Sequence, residues 1–270
     1  MTLLRSAVAD IRPALSWQFF LLVAAVLILP SAYTTAISSD YALFGEADVF
    51  TLIMSSGIAL VFPLLAVSIY ALPFSNELSQ RYIFYTRTRS DIGRYIANKL
   101  LANAAMAAVF FFFVAFIPFL WAFFVDPALG LIGPYRSTVV GLSPSEMGDY
   151  ATTLHTFSQL LSAGPWAYGI GYSLWLALNG ALYATIGLLL LFVVPNRFVA
   201  LSLPFLGYHI LNFATAVAGI PQYSPASVFP FNVVQFPIWV PFMPFGILLA
   251  LTGLLAIYVW QNTRRLDVLL

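Results

Sequence analysis

Six stretches of the chain consist almost entirely of apolar residues, and the segments between them hold nearly all of the charged ones. The stretches cover residues 17–37, 50–73, 100–125, 165–194, 198–219 and 236–260. A helix needs about 20 mostly apolar residues to cross a bilayer. Apolar and polar positions do not alternate as they do in a half-buried strand. The pattern therefore predicts an all-α polytopic membrane protein with six transmembrane helices, forming a single transmembrane domain over residues 1–270.

Composition narrows the class of protein further. Of the 270 residues, 61% are hydrophobic and 8% are charged, and the mean hydropathy is +0.93. Because a soluble domain carries about 25% charged residues, a soluble enzyme, a nucleic-acid-binding protein and a disordered chain are disfavoured. The chain has no cysteine, which excludes disulfides, thiolate metal sites and cysteine nucleophiles.

The distribution of basic residues predicts how the spans are oriented. Only Arg136 lies in the loops on one side, and that side carries most of the acidic residues. The other side holds the remaining basic residues, namely Arg5, Arg12, Arg81, Arg87, Arg89, Arg94, Lys99, Arg197, Arg264 and Arg265. Basic residues accumulate on the cytoplasmic side of membrane proteins. We therefore expect a multi-pass protein of the cytoplasmic membrane with both termini inside and a first span that is retained, not cleaved as a signal peptide.

The segments between the spans are assigned from this topology. Residues 38–49, 126–164 and 220–235 become outer loops, and the last of these is rich in Pro, Phe and Tyr, which fits an aromatic interfacial belt. Residues 3–18 place apolar side chains at helical spacing, which fits an N-terminal amphipathic helix in the interface. A simple basic flank that sets the topology explains residues 3–18 equally well.

The cytoplasmic segment 75–99 concentrates one third of all charged residues: Glu77, Arg81, Arg87, Arg89, Asp91, Arg94 and Lys99. Ser90 can cap a helix whose first turn contains Asp91, which the helix dipole favours. The residues Ile92, Tyr95 and Ile96 would then form an apolar edge. The alternative is a basic loop that only enforces the topology.

This segment resembles the first cytoplasmic loop of ABC transporter permeases of the type-2 export family. The resemblance rests on Glu77, the block 88–92 with its Ser90, and Lys99 with the three residues that follow it. The family often has a Gly shortly after the Glu and a Pro before the Ser, and this chain has neither. The resemblance implies that residues 75–99 contain a coupling helix. Its contacts with an ATPase partner would come from Glu77, Arg87, Arg89, Ser90, Asp91, Arg94 and Lys99. The resemblance also implies that residues 220–235 form the re-entrant hairpin that the family places before its sixth span, as the alternative to an aromatic belt.

The same resemblance implies the cofactors and partners. The chain has no phosphate-binding Gly-x-x-x-x-Gly-Lys motif, and Lys99 is its only lysine, so ATP and magnesium would bind a separate nucleotide-binding subunit and no cofactor would bind this chain. A second copy, or a homologous permease, would complete the pathway, and the other partner would be the lipid bilayer. The scarcity of charge within the spans favours a hydrophobic or amphipathic cargo moved outward.

A few polar residues within the spans are candidates for the substrate path. His209 and Asn212 lie three residues apart on one helical face, and Ser55 and Ser56 are the other candidates. An ionisable residue inside a membrane suggests function, although one neutral His is often satisfied by a neighbouring carbonyl. Gly180 and Ala184, at small-xxx-small spacing, predict close helix packing in the fourth span.

Three other classes of function remain as alternatives. A secondary transporter usually needs an ionisable relay, and His209 is the one candidate. An intramembrane enzyme lacks paired carboxylates, a metal-binding cluster and a convincing hydroxyl–His dyad within the spans, so no catalytic or metal residue is predicted. A non-catalytic membrane assembly subunit fits the composition as well as a permease does.

Overall fold

The computed structural model describes residues 17–55, 57–79, 92–132, 146, 150, 153–229 and 235–262. Within these residues every regular element is helical and no strand occurs. The α-helices are α1 (Trp17–Ile37), α2 (Glu46–Ser55), α3 (Ile58–Ile69), α4 (Ala71–Ser79), α5 (Ile92–Leu120), α6 (Asp126–Leu129), α7 (Pro165–Val193), α8 (Arg197–Val217) and α9 (Phe242–Asn262). The predicted all-α fold is confirmed for this part of the chain.

Short helical turns connect several of these helices. A π-helical turn, Trp121–Val125, joins α5 to α6. Single 3₁₀ turns cover Ser38–Asp40 after α1 and Ser158–Ala163 before α7. Two more, Pro221–Tyr223 and Pro225–Val228, follow α8.

Five of the described helices are long and apolar enough to cross a membrane. They are α1, the continuous α5–α6 segment, α7, α8 and α9, so the chain is a helical membrane protein. A sixth span requires the bent pair α2 and α3, whose axes differ by 59°.

The predicted second span, residues 50–73, is divided among α2, α3 and α4 in the structure. Gly57 has φ = +93° between α2 and α3, a backbone conformation that side-chain-bearing residues rarely adopt. A second break at Tyr70 separates α3 from α4.

The predicted third span, residues 100–125, begins too late. Helix α5 starts at Ile92. The apolar residues Ile92, Tyr95 and Ile96, which were assigned to a separate coupling helix, belong to the same continuous helix as the span. Lys99 therefore lies inside a 29-residue helix, not at the end of a loop. The last helix, in contrast, begins at Phe242, later than the predicted residue 236.

Helices α5 and α7 form the centre of the bundle. A Cβ atom added to Gly180 of α7 would stand 2.0 Å from Cδ2 of Phe111, and one added to Gly169 would stand 2.4 Å from Cδ1 of Phe119. Such distances leave no room for a side chain, so the two glycines let the helices approach closely. The predicted close packing at Gly180 is confirmed, with α5 as the partner.

An aromatic core joins this pair of helices to the rest of the bundle. Phe62 of α3 is fully buried and meets the rings of Phe111, Tyr183 and Phe229 at centroid distances of 4.9, 5.2 and 5.2 Å in edge-to-face geometry. Aromatic pairs in this geometry each contribute about 0.5–1.5 kcal/mol beyond their area burial. Phe229 reaches the core because the turns before it pack between the helices, where the Tyr172 hydroxyl donates to the carbonyl of Val228 at 2.6 Å.

The outer surface of the bundle is apolar. Phe198 and Phe213 of α8 are 81% and 73% exposed, and α1 and α9 carry many further exposed large apolar side chains. Continuous apolar surfaces of this extent are not found on soluble monomers. They fit contact with bilayer hydrocarbon, which agrees with the spans identified above.

Candidate functional site

The first candidate site surrounds Lys99, near the start of α5. Its Nζ atom lies 2.9 Å from Oε2 of Glu77 in α4. The lysine side chain is 6% exposed, whereas the Glu77 side chain is 41% exposed. A buried ammonium group must be compensated by an opposite charge and by hydrogen-bond acceptors. Here the compensation comes from a carboxylate that water can still reach.

Three aromatic rings complete the environment of this ammonium group. The Nζ atom lies 5.9, 5.4 and 5.6 Å from the ring centroids of Tyr70, Phe74 and Tyr95. Each distance is within the range of a cation–π contact, in which the negative face of a ring attracts the cation. We call Lys99, Glu77 and these three rings the Lys99 cluster.

The Lys99 cluster joins the two ends of one segment of the chain. Glu77 lies near the end of α4 and Lys99 in the second turn of α5, and residues 80–91 run between these helices. Of the predicted coupling residues, Arg87, Arg89, Ser90 and Asp91 lie outside the described residues. Arg94 is exposed in the first turn of α5. The coupling role of all seven residues remains a prediction.

A third helix is attached at the same end of the bundle. The Arg197 guanidinium donates to the carbonyl of Ser75 in α4 at 2.9 Å. Arg197 begins α8, and the side chain of Asn196 caps that helix by accepting from the amides of Phe198 and Val199. Helices α4, α5 and α8 are therefore tied together by polar contacts, and sequence reasoning did not identify Arg197 as part of this arrangement.

The second candidate site lies at the other end of α5, where α2 packs beside the π-helical turn. His155 is 1% exposed. Its Nε2 atom is 2.6 Å from Oδ1 of Asp48, and its Nδ1 atom is 2.8 Å from the Thr51 hydroxyl. The other carboxylate oxygen of Asp48 accepts from the amide of Phe44 at 2.7 Å. We call Asp48, Thr51 and His155 the His155 cluster.

The partners of the imidazole fix its tautomer. An ionised carboxylate can only accept a hydrogen bond, so Nε2 carries a proton and donates to Asp48. In the neutral imidazole Nδ1 then accepts from Thr51. This is a hydroxyl–imidazole–carboxylate arrangement, which sequence reasoning did not find. Thr51 is only 2% exposed, so its hydroxyl serves as a fixed partner of the imidazole and is not an accessible nucleophile.

The segment that carries His155 is also bonded to the residues that precede α9. The Gln235 amide donates to the carbonyl of Thr153 at 3.0 Å, and its side chain donates to the Ser158 hydroxyl at 2.8 Å. The Gln159 side chain donates to the carbonyl of Phe236 at 2.8 Å. Residues 153–163 therefore connect α2, on one side of the bundle, with residues 235–236 on the other.

Phe157 holds this connecting segment against the core. It has φ = +61°, a conformation that is uncommon for a residue other than glycine. Its buried ring packs edge-to-face on Tyr172, Trp175 and Phe242, with centroids 5.6–6.2 Å away. Packing of the ring thus keeps the backbone in its unusual turn.

The predicted substrate-path residues do not converge on one point. The Nε2 atom of His209 lies 3.0 Å from the carbonyl of Leu60, so a neighbouring helix satisfies it. The Asn212 side chain accepts from the amide of Ala226 at 2.9 Å and so positions the turns after α8. Ser55 is exposed and lines a cavity of about 280 Å³ beside the His155 cluster, while Ser56 lies outside the described residues.

Comparisons with known proteins give the chain no relative. No protein-family model, curated protein or solved structure matches it.

Proposed function

We propose that the chain is the membrane-spanning permease subunit of an ATP-driven ABC exporter. In this proposal a separate ATPase subunit binds ATP and magnesium and engages the cytoplasmic segment 75–99. The bent pair α2–α3 serves as the second of six spans, both termini are cytoplasmic, and two permease copies or two homologous permeases form the pathway. A hydrophobic or amphipathic cargo moves outward through the cytoplasmic membrane.

The observation that carries the proposal is the ion pair between Lys99 and Glu77. It joins the helices on both sides of residues 80–91, the segment proposed to meet the ATPase. A force applied to that segment would therefore reach α4 and α5 together. The Arg197 contact with Ser75 extends the same connection to α8, and packed helices transmit such displacements as rigid bodies.

The surroundings of His209 favour this proposal over a secondary transporter. A proton relay needs an ionisable group that can exchange protons along the transport path. The bond from His209 to Leu60, 3.0 Å long, uses one imidazole nitrogen for a contact between helices. The alternative, a non-catalytic assembly subunit, is one of the outcomes that the test below distinguishes.

The test separates ATPase binding from transmission. The chain is purified together with the products of neighbouring genes, and association with a nucleotide-binding subunit and ATP hydrolysis are both measured. We expect the double substitution Ser90→Ala with Arg94→Gln to weaken association. We expect Glu77→Gln to weaken association less than that double substitution and to uncouple cargo movement from ATP hydrolysis, because the Glu77 carboxylate is bonded to Lys99 of the next helix.

Arg264→Gln provides a matched control, since it removes a basic residue that the topology also places in the cytoplasm. It should change neither quantity. If no nucleotide-binding subunit co-purifies, the permease proposal is wrong. Association that persists without any effect of the chain on ATP hydrolysis would instead indicate an assembly subunit.

A further inference from the structure

A second cavity, of about 180 Å³, lies between α7, α8, α9 and the turns at residues 221–228. Its walls are mostly apolar and include Leu211 of α8, Val228, and Phe245, Leu248 and Leu251 of α9. No charged side chain is among its lining residues in the described part of the chain. The cavity is separate from both clusters described above.

Two of the polar side chains at this cavity, Asn179 and Thr215, donate to carbonyls of their own helices, and Tyr183 and Tyr223 also line it. The Asn179 side chain donates to the carbonyl of Trp175 at 2.9 Å. The Thr215 hydroxyl donates to the carbonyl of Leu211 at 2.8 Å. An ordered water needs two to four polar partners, and cavities without them stay dry or bind apolar molecules. The chemistry of the walls therefore favours a hydrocarbon ligand.

The position of the cavity along the spans sets the length of that ligand. On α9 the lining runs from Pro244 to Leu251, which corresponds to about 10 Å at the rise of an α-helix. It begins beside the turns at residues 221–228 and ends next to Asn179, at the middle of α7. The cavity thus lies within one half of the length of the spans, at the end of the bundle that carries the His155 cluster.

The cavity also borders the surface that faces the bilayer. Ile247 lines it and is nevertheless 64% exposed. On the neighbouring face of α8, Ile210 and Phe213 are 64% and 73% exposed. Lipid chains are therefore the molecules next to the cavity, and an unfilled cavity would lose the dispersion contacts of its walls.

From this geometry we infer that the cavity binds one acyl chain of a membrane phospholipid. The lipid belongs to the leaflet at the His155 end of the bundle, which is the outer leaflet in the predicted orientation. The chain lies along α9 between Pro244 and Leu251, with its far end against Asn179 and Tyr183. This inference goes beyond the proposed transport function and does not require an ATPase partner.

Photo-crosslinking of the full chain alone in lipid nanodiscs tests the inference. The nanodiscs contain phosphatidylethanolamine, phosphatidylglycerol and a phosphatidylcholine that carries a diazirine in the middle of one acyl chain. After illumination, mass spectrometry locates the adducts. We expect them to be enriched severalfold at the lining residues of α8 and α9 relative to Ile28 and Leu29 of α1, which are 62% and 63% exposed and serve as the reference for loosely bound lipid.

Two tryptophan variants sharpen this experiment. Leu248→Trp places a large ring in the cavity and should reduce the adducts at the lining residues severalfold. Leu249→Trp adds the same ring next to it on α9, but Leu249 is 52% exposed and does not line the cavity. It should leave the adducts unchanged.

Equal labelling of the cavity and of α1 in the unsubstituted chain would mean loosely bound lipid only and would overturn the inference. An undiminished signal in a correctly folded Leu248→Trp variant would overturn it as well. If that variant does not fold, the distribution in the unsubstituted chain decides by itself. Since the nanodiscs contain no ATPase, a negative result here leaves the permease proposal untouched.

Discussion

The Lys99 cluster and the His155 cluster, at opposite ends of α5, fix the chain in different ways. In both, a buried nitrogen base is bonded to a carboxylate from a distant part of the sequence. Lys99 carries a full charge, and one carboxylate and three rings are among the groups that compensate it. His155 has both ring nitrogens bonded to side chains of α2, so its neutral imidazole is held by two hydrogen bonds, one of them to an ionised carboxylate.

This difference determines what each end does when a partner is lost. A buried cation that loses its counter-charge is more costly than a carboxylate that loses one of two hydrogen-bond donors, and Asp48 keeps the amide of Phe44 when His155 is replaced. We therefore expect the Lys99 end to respond to substitution with a large loss of stability, and the His155 end to open locally. The predictions below examine that contrast in order of decreasing effect.

The largest effect is expected for Glu77→Gln. It removes the counter-charge of the Lys99 ammonium group, whose Nζ atom lies 2.9 Å from the Glu77 carboxylate. Because Glu77 is partly exposed, we expect a loss of about 2–3 kcal/mol in the free energy of unfolding, below the range for a fully buried pair. Denaturant titration in detergent micelles measures it. Lys99→Met removes the buried charge itself and should cost less, so equal losses in the two variants would contradict the charge-based explanation.

His155→Phe should have an intermediate effect, confined to its own end. It leaves Asp48 and Thr51 without their imidazole partner, which corresponds to about 2 kcal/mol. Hydrogen exchange measured by mass spectrometry should show faster exchange in residues 153–163 and unchanged exchange at the start of α5. Faster exchange at both ends would show that the two clusters are not independent.

The smallest effect is expected for Thr51→Val. It keeps the side-chain shape and removes a single neutral hydrogen bond, which is worth about 1 kcal/mol. Ser55→Ala is the matched control one turn further along α2. Ser55 is exposed, and its described hydrogen bond goes to the carbonyl of Leu52 in the same helix. The thermal unfolding midpoint of Thr51→Val should fall below that of Ser55→Ala. A reversed order would mean that the Thr51 contact with His155 does not stabilise the fold.

Helices α7 and α8 could be predicted from the sequence almost to the residue. Strong local signals mark the ends of these helices. Gly164 and Pro165 stand at the start of α7, and Pro195 and Asn196 lie between α7 and α8. Local signals of this kind act through φ angles and capping bonds, which depend on neighbours in the chain. The break between α2 and α3 falls at a glycine, Gly57. The positive φ of Gly57 could not be deduced from the sequence, because the residue lies within a long apolar stretch.

The candidate sites were less accessible to sequence reasoning. Glu77 and Lys99 were identified separately, as parts of a loop motif, while their pairing depends on how α4 and α5 pack. His155 is separated from Thr51 by 104 residues and from Asp48 by 107, and a lone histidine in a loop gives no local signal. Asp48 and Thr51 are three residues apart on one helical face, which was the single available indication of a shared partner.

The burial of Lys99 has a further chemical consequence. Because it is the only lysine in the chain and its side chain is 6% exposed, amine-reactive reagents and lysine-specific proteases have a single side-chain target, which the native fold shields. Acylation of Lys99 would then report directly on opening of its cluster. The protein thus contains its own chemical probe for displacement of α4 from α5, with no engineered label required.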